Sequence, residues 1–138
     1  MTVLDDILQK MNGMGRFQAA ILASSEGLPI ASASSAGDAS VTAAMVALLQ
    51  GVGKQTRQQL GLAELDEMIL TSRDRRRLVC RYFAVDADGL ILAVMVEPGG
   101  YYRNATSWAM REIDATWRSH SGAAKPRRRP LRPGLPYR

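Results

Sequence analysis

Twice in this chain an apolar run, a short polar turn ending in glycine and a second apolar run follow one another. No other feature limits the fold as much. Phe17–Ala23 and Leu28–Ser34 flank Ser24-Ser25-Glu26-Gly27, while Val79–Val85 and Leu90–Val96 flank Asp86-Ala87-Asp88-Gly89. The segments GLPIA from Gly27 and GLILA from Gly89 even share the pattern Gly-Leu-x-aliphatic-Ala. A phosphate-cradling loop leads its glycines from a strand into a helix. Both of these glycines lead into another strand, so the repeat predicts two antiparallel hairpins, with glycine supplying the positive φ of each turn. Pro29 cannot donate to a ladder, which predicts an edge position for its strand. Leu90–Val96 is apolar throughout and reads as a central strand covered on both faces.

Helical spacing fills the intervals. Val3, Leu4, Ile7, Leu8 and Met11 share one face of a helix over residues 3–12, with Thr2 as N-cap, Asp5 three residues on, and Gly13 and Gly15 ending it. Asp38 or Ser40 caps a long helix running to about Leu60, where Gly61 stops it. Its large stripe, Val41, Met45, Leu48, Leu49 and Val52, is expected to pack on the sheet. A surface helix normally carries charge on its far side, yet here Ala43, Ala47 and Gly51 form a ridge of small residues. Such a ridge lets another backbone come close. It is expected at a subunit or partner contact; the competing reading is a helix buried within one larger core. Leu65–Ser72 is a third strand, Arg73–Arg77 its turn, and a last helix over about Tyr102–Ser119 follows the break at Pro98-Gly99-Gly100. The order α-β-β-α-β-β-β-α is that of an α+β domain, a five-stranded antiparallel sheet with flanking helices.

A length of 138 residues suits one domain, read here as residues 1–120. The net charge of +5 belongs elsewhere. Residues 121–138 carry six of the 18 basic residues and no acid, leaving 12 against 13 acids in residues 1–120, a net of −1. This Arg- and Pro-rich tail reads as disordered, with Arg127, Arg128 and Arg129 as candidate partner-facing charges on an acidic surface, anionic lipid or nucleic acid. Its Arg127-x-x-Pro130-x-x-Pro133 spacing matches polyproline recognition, a pattern common in such composition. No apolar stretch reaches the ~20 residues that cross a bilayer, and a cytoplasmic location is expected.

Little here suggests catalysis. Ser24, Ser25, Ser34 and Ser35 need a base, and His120, the only histidine, stands beside the tail, where it suits a helix C-terminus. Cys80, the only cysteine, lies within a strand and reads as a packing thiol. Asp5/Asp6 and Asp86/Asp88 fit a helix start and a turn at least as well as carboxylate pairs. No metal, cofactor or small-molecule substrate is expected. Arg73, Arg75 and Arg76 on an exposed turn are candidate partner-facing charges; a solvated charged turn is the favoured reading.

The leading LDDIL helix, AAILASSEGLPIASAS, the Ala-rich helix ending RQQLGL, LDEMILTS and DADGLILAVMVEPGG together resemble the roadblock/dynein light chain family over about residues 3–118. The resemblance implies a roadblock/profilin-like fold and a homodimer paired through the long helix and the neighbouring strand. It also implies a non-enzymatic regulator or scaffold of a small Ras-like GTPase, of which the bacterial gliding-motility GTPase-activating type is an instance. Carried onto this sequence, the pairing segments are Ser40–Leu60 and Leu65–Ser72. Ala43, Val46, Ala47, Gln50, Gly51, Lys54, Met68 and Leu70 are the expected contact residues. The tail departs from the family pattern. Two alternatives remain, a small-molecule sensory domain and an adaptor acting through the tail; the absence of inward polar residues along the apolar strand 90–96 weighs against a sensory pocket.

Overall fold

Thr2 and Asp5 start the first helix with a reciprocal capping box. The Asp5 amide donates to Thr2 Oγ1 and the Thr2 amide to Asp5 Oδ2, each at 3.1 Å. The helix α1 spans Val3–Gly15, longer than the spacing predicts. Gly13 lies inside it, and the left-handed residue that ends it is Arg16, at φ 56°. Its amide reaches back to the Asn12 carbonyl. Asp5 does a second job: its Oδ1 accepts from the Ser32 amide at 3.1 Å, tying α1 to the second strand. These amide donors, Thr2 first, hold the Asp5 carboxyl below its ordinary value. A depressed folded pKa stabilises above the unfolded value near 3.8, and that contribution disappears as pH falls below it. Asp5→Ala is expected to cost about 1 kcal/mol at pH 7, and the wild-type advantage should shrink in urea melts as the pH is lowered below 3.8.

The computed structural model describes residues 2–33 and 39–122, without the side chains of 39–41 and 121–122. Ser34, Ser35, the Asp38 capping alternative, the Ser40 and Val41 side chains and the basic residues of the tail lie outside what it describes, and the Ser40 backbone falls inside the long helix. The strands are β1 (Ala19–Ser24), β2 (Pro29–Ala33), β3 (Glu67–Thr71), β4 (Arg77–Val85) and β5 (Asp88–Val96), and the remaining helices are α2 (Ala39–Leu60) and α3 (Arg103–Gly122). They form one antiparallel sheet in the order β2-β1-β5-β4-β3. The apolar strand β5 is central and the Pro29 strand is an edge, as the sequence predicts. Gly27 supplies the positive φ of the first hairpin, at 95°, but in the second that role falls to Asp86, at 57°. Gly89 instead pairs within the ladder and lies close to Ser25, whose Oγ would stand 3.3 Å from a Cβ there.

Strand parity divides the core into two layers. On one face Leu22, Val79, Val85, Leu92, Val94 and Val96 pack under α1 and α3, with Leu8, Met11, Ala109 and Ile113 opposite them. On the other, Ile21, Ala23, Cys80, Ile91 and Ala93 meet α2 through Ala43 and Val46. This corrects the expected orientation of the long helix. Ala43 and Val46 are buried, Ala47 and Leu49 are half-buried, and Met45, Leu48 and Val52 stand 60%, 71% and 60% exposed. The reason lies in the sheet, whose surface here carries Ile21, Ile91 and Tyr82. A helix approaches such bulk closely only through small residues. A Cβ at Gly27 would stand 3.3 Å from Ala47 Cβ, and one at Gly53 would lie 2.6 Å from Met68 Cε. Ala43 and Ala47 of the small ridge face inward with Leu49, while Gly51 and the Met45, Leu48 and Val52 part of the stripe are left on the outside.

Candidate interaction face

Leu48, Met45 and Val52 share one side of α2, since residues four and seven apart return to the same face. Single exposed leucines are ordinary, whereas a contiguous stripe on one helix face is a candidate contact surface. Beside it, on the same side of the sheet, α2 covers Met68 but leaves the end of β3 and the start of β4 uncovered. Leu70, Leu78 and Met95 line a shallow groove of about 240 Å³ there, next to Thr71, Ser72 and Arg76. Leu70 is 47% exposed and Ile69, on the opposite face of the strand, is 39% exposed.

The two sheet edges differ. Pro29 opens β2 and blunts that edge, whereas β3 carries no proline or lysine and pairs on one side only. Its far row of N–H and C=O groups therefore offers a template for another strand. A side-chain clasp fixes the strand in place. Glu67, on β3, accepts from the Tyr102 hydroxyl at 2.7 Å and from Arg103 at 3.2 Å, both at the start of α3. Arg81, 5% exposed, comes from β4 into the same cluster. It donates to Thr106 Oγ1 at 2.8 Å and Ser107 Oγ at 2.9 Å, and its Nε lies 3.9 Å from Glu67, beyond a hydrogen bond but within ion-pair range. This arginine is not among the residues expected at the site, although parity announces it: Val79, Arg81, Phe83 and Val85 alternate onto one face.

Of the expected contact residues, Ala43 and Val46 are buried against the chain's own sheet. Ala47 packs near Gly27, Gln50 and Lys54 turn toward a cleft under the helix, and Met68 is half-buried against Gly53. Gly51 and Leu70 are exposed, with no described atom within 4 Å of a Cβ built at Gly51. The large apolar residues that α2 leaves exposed beside them are Met45, Leu48 and Val52.

The arginine turn is a built hairpin. Arg75 adopts φ 75°, its amide donates to the Ser72 carbonyl, and Arg76 Nε reaches Asp74 Oδ2 at 2.9 Å. The Ser72 hydroxyl and the Arg76 amide pull the Asp74 carboxyl down to about 2. Arg76 is thus held by its neighbour, while Arg73 and Arg75 are exposed without an ion pair among the described residues. Arg127, Arg128 and Arg129 lie outside the described residues.

Among the described residues weighed for catalysis, several make structural contacts. Ser24 Oγ accepts the Glu26 and Leu28 amides and closes the first hairpin. Burial pushes the Cys80 thiol up to about 11. His120 Nδ1 lies 2.9 Å from the Thr116 carbonyl in the last turns of α3, Asp86 pairs with Arg118 at 2.7 Å, and Asp88 accepts from the Trp117 indole. Among the described residues no group of three or more His, Cys, Asp or Glu is placed to hold a metal, and no helix is long and apolar enough to cross a membrane.

Comparison with known proteins places this geometry. Among solved structures the chain is similar to Myxococcus xanthus MglB, with a TM-score of 0.74 and 15% identity over 86% of this chain and 98% of that one. It is similar to a Roadblock/LC7 domain from Streptomyces avermitilis, with a TM-score of 0.70 and 17% identity over 88% and 99%. The gliding protein MglB from Thermus thermophilus follows at a TM-score of 0.69 and 13% identity over 83% and 91%. At such identities these likenesses speak for the fold alone. No curated protein matches the sequence. The family model described as the Roadblock/LC7 domain matches residues 3–82, from the capped first helix into β4, and the chain belongs to that family.

Proposed function

We propose that the chain works as a homodimer in the cytoplasm and, without catalysing a reaction itself, regulates or scaffolds a small Ras-like GTPase. The observation that carries this reading is the bare stripe Met45, Leu48 and Val52 beside an unblunted edge strand. A second copy related by a two-fold axis presents the same stripe and edge, so one isologous contact covers both at once. Paired β3 strands would continue the sheet across the axis, and the paired α2 helices would form a platform for the GTPase. Family membership and the likeness to MglB structures support the GTPase as partner.

The test is retention of a GTP-loaded Ras-like GTPase from the same genome on the immobilised full chain, followed by hydrolysis and exchange rates. Binding with an altered rate is the expected result; no binding in either nucleotide state contradicts the proposal. Arg73→Ala, Arg75→Ala and Arg76→Ala should each leave any stimulated hydrolysis within about twofold, whereas loss of ~10³-fold would assign an inserted arginine. Deleting residues 121–138 should leave binding intact. If it abolishes binding, the adaptor reading, in which the tail holds the partner, is correct.

A further inference from the structure

Beneath the second half of α2 lies a cleft of about 350 Å³, on the side of the helix that faces away from the bare stripe. Gln50, Lys54 and Arg57 line it from successive turns, Tyr82 lines it from β4, and Glu64 from the segment leading into β3. Its volume falls at the lower end of the ~300–1,000 Å³ in which proteins hold small ligands. The polar residues missing from the apolar strand β5 are supplied by the helix instead.

Two independent observations mark it as a site. Lys54 and Arg57 converge on the cleft with no carboxylate in ion-pair range among the described residues, and Arg57 commits one N–H to the Leu62 carbonyl at 3.4 Å. Glu64, an acid on the rim, is likewise out of ion-pair range of both. Separately, the Tyr82 hydroxyl is withdrawn from solvent and has no hydrogen-bond partner among the described residues. A buried hydroxyl left unpaired loses the hydrogen bonds it makes with water, and an incoming acceptor restores one. Burial pushes this phenol up to about 12, so it remains a donor at neutral pH. The donors gathered here are two cations, a phenol and a carboxamide. Leu65, Ala84 and the Tyr82 ring supply an apolar wall.

We infer that this cleft binds a small organic anion, a phosphate or carboxylate head on a flat apolar body. The head sits between Lys54 and Arg57, where charge-assisted hydrogen bonds are strongest, and gains the Tyr82 hydroxyl as a further donor once the side chains that cover it move aside. The body lies against Leu65 and Ala84. Glu64 at the rim repels additional negative charge, favouring a compact anion over a polyanion. The cleft lies on the side of α2 opposite the stripe, so binding is expected in the single protomer as well.

The test is a ¹⁵N NMR titration of the full chain with phenyl phosphate and, separately, with benzoate at matched ionic strength. Saturable shifts at Gln50, Lys54, Tyr82 and Ala84 are expected with a Kd below about 1 mM for at least one of them, the tighter probe naming the head group. Lys54→Gln combined with Arg57→Gln should weaken that binding at least about tenfold, and Tyr82→Phe about threefold, with the rest of the spectrum unchanged. Shifts that do not saturate by about 10 mM, or that ignore these substitutions, mean an adventitious anion only and overturn the assignment.

Discussion

Leu48→Glu is expected to turn the protein into a folded monomer. In one chain Leu48 is 71% exposed, so its loss removes nothing from the core, and glutamate forms helix almost as readily as leucine. Helix content and the thermal midpoint of the dilute protein should therefore be unchanged within error. Across a two-fold contact the substitution acts twice, placing two carboxylates into an apolar seam. Leaving a charge there without a partner costs at least ~3 kcal/mol, about 100-fold in dissociation constant. Sedimentation should show the loss directly, and a dimer of unchanged affinity would remove the stripe from the interface. Gly51→Leu separates the stripe from the small ridge as the contact. Gly51 borders the stripe without belonging to it, so only a modest weakening follows if Leu48 is central, whereas complete dissociation would restore the small ridge to the contact.

The second large effect concerns Arg81. Arg81→Ala is expected to destabilise the chain by about 3 kcal/mol in urea unfolding, at the lower end of what breaking a buried ion pair costs. The lower end applies because the surviving groups keep partners: Glu67 retains the Tyr102 hydroxyl and Arg103, and Thr106 Oγ1 still donates to the Tyr102 carbonyl at 2.7 Å. Arg81→Met restores the volume without the charge and should recover more than half of the loss. An alanine variant within about 0.5 kcal/mol of wild type would show that the cluster between β3, β4 and α3 contributes no net stability.

The fold is almost fully legible in the sequence because its signals are local. Two apolar-turn-apolar repeats, a proline at a strand start and a capping box each report on a few neighbouring residues. The outward stripe is harder to place. Periodicity shows that Met45, Leu48 and Val52 share one side of α2, but it cannot say which side meets the chain's own sheet. The usual inference buries the larger residues inside the protomer, and it fails when a helix has two apolar faces to cover. What decides the orientation is non-local. Ile21, Ile91 and Tyr82 make the sheet bulky, and only Ala43, Ala47 and Gly53 let the helix settle on it. The cleft escapes a sequence reading for the same reason, since Lys54 and Tyr82 are 28 positions apart in the sequence and meet only once α2 crosses the sheet.

The most direct test of the dimer account is the mass of the unmodified full chain in sedimentation velocity at micromolar concentration and physiological salt. A species of twice the 15.1 kDa chain mass is predicted. A single 15.1 kDa species throughout that range, with the α2 stripe open to water, would contradict it.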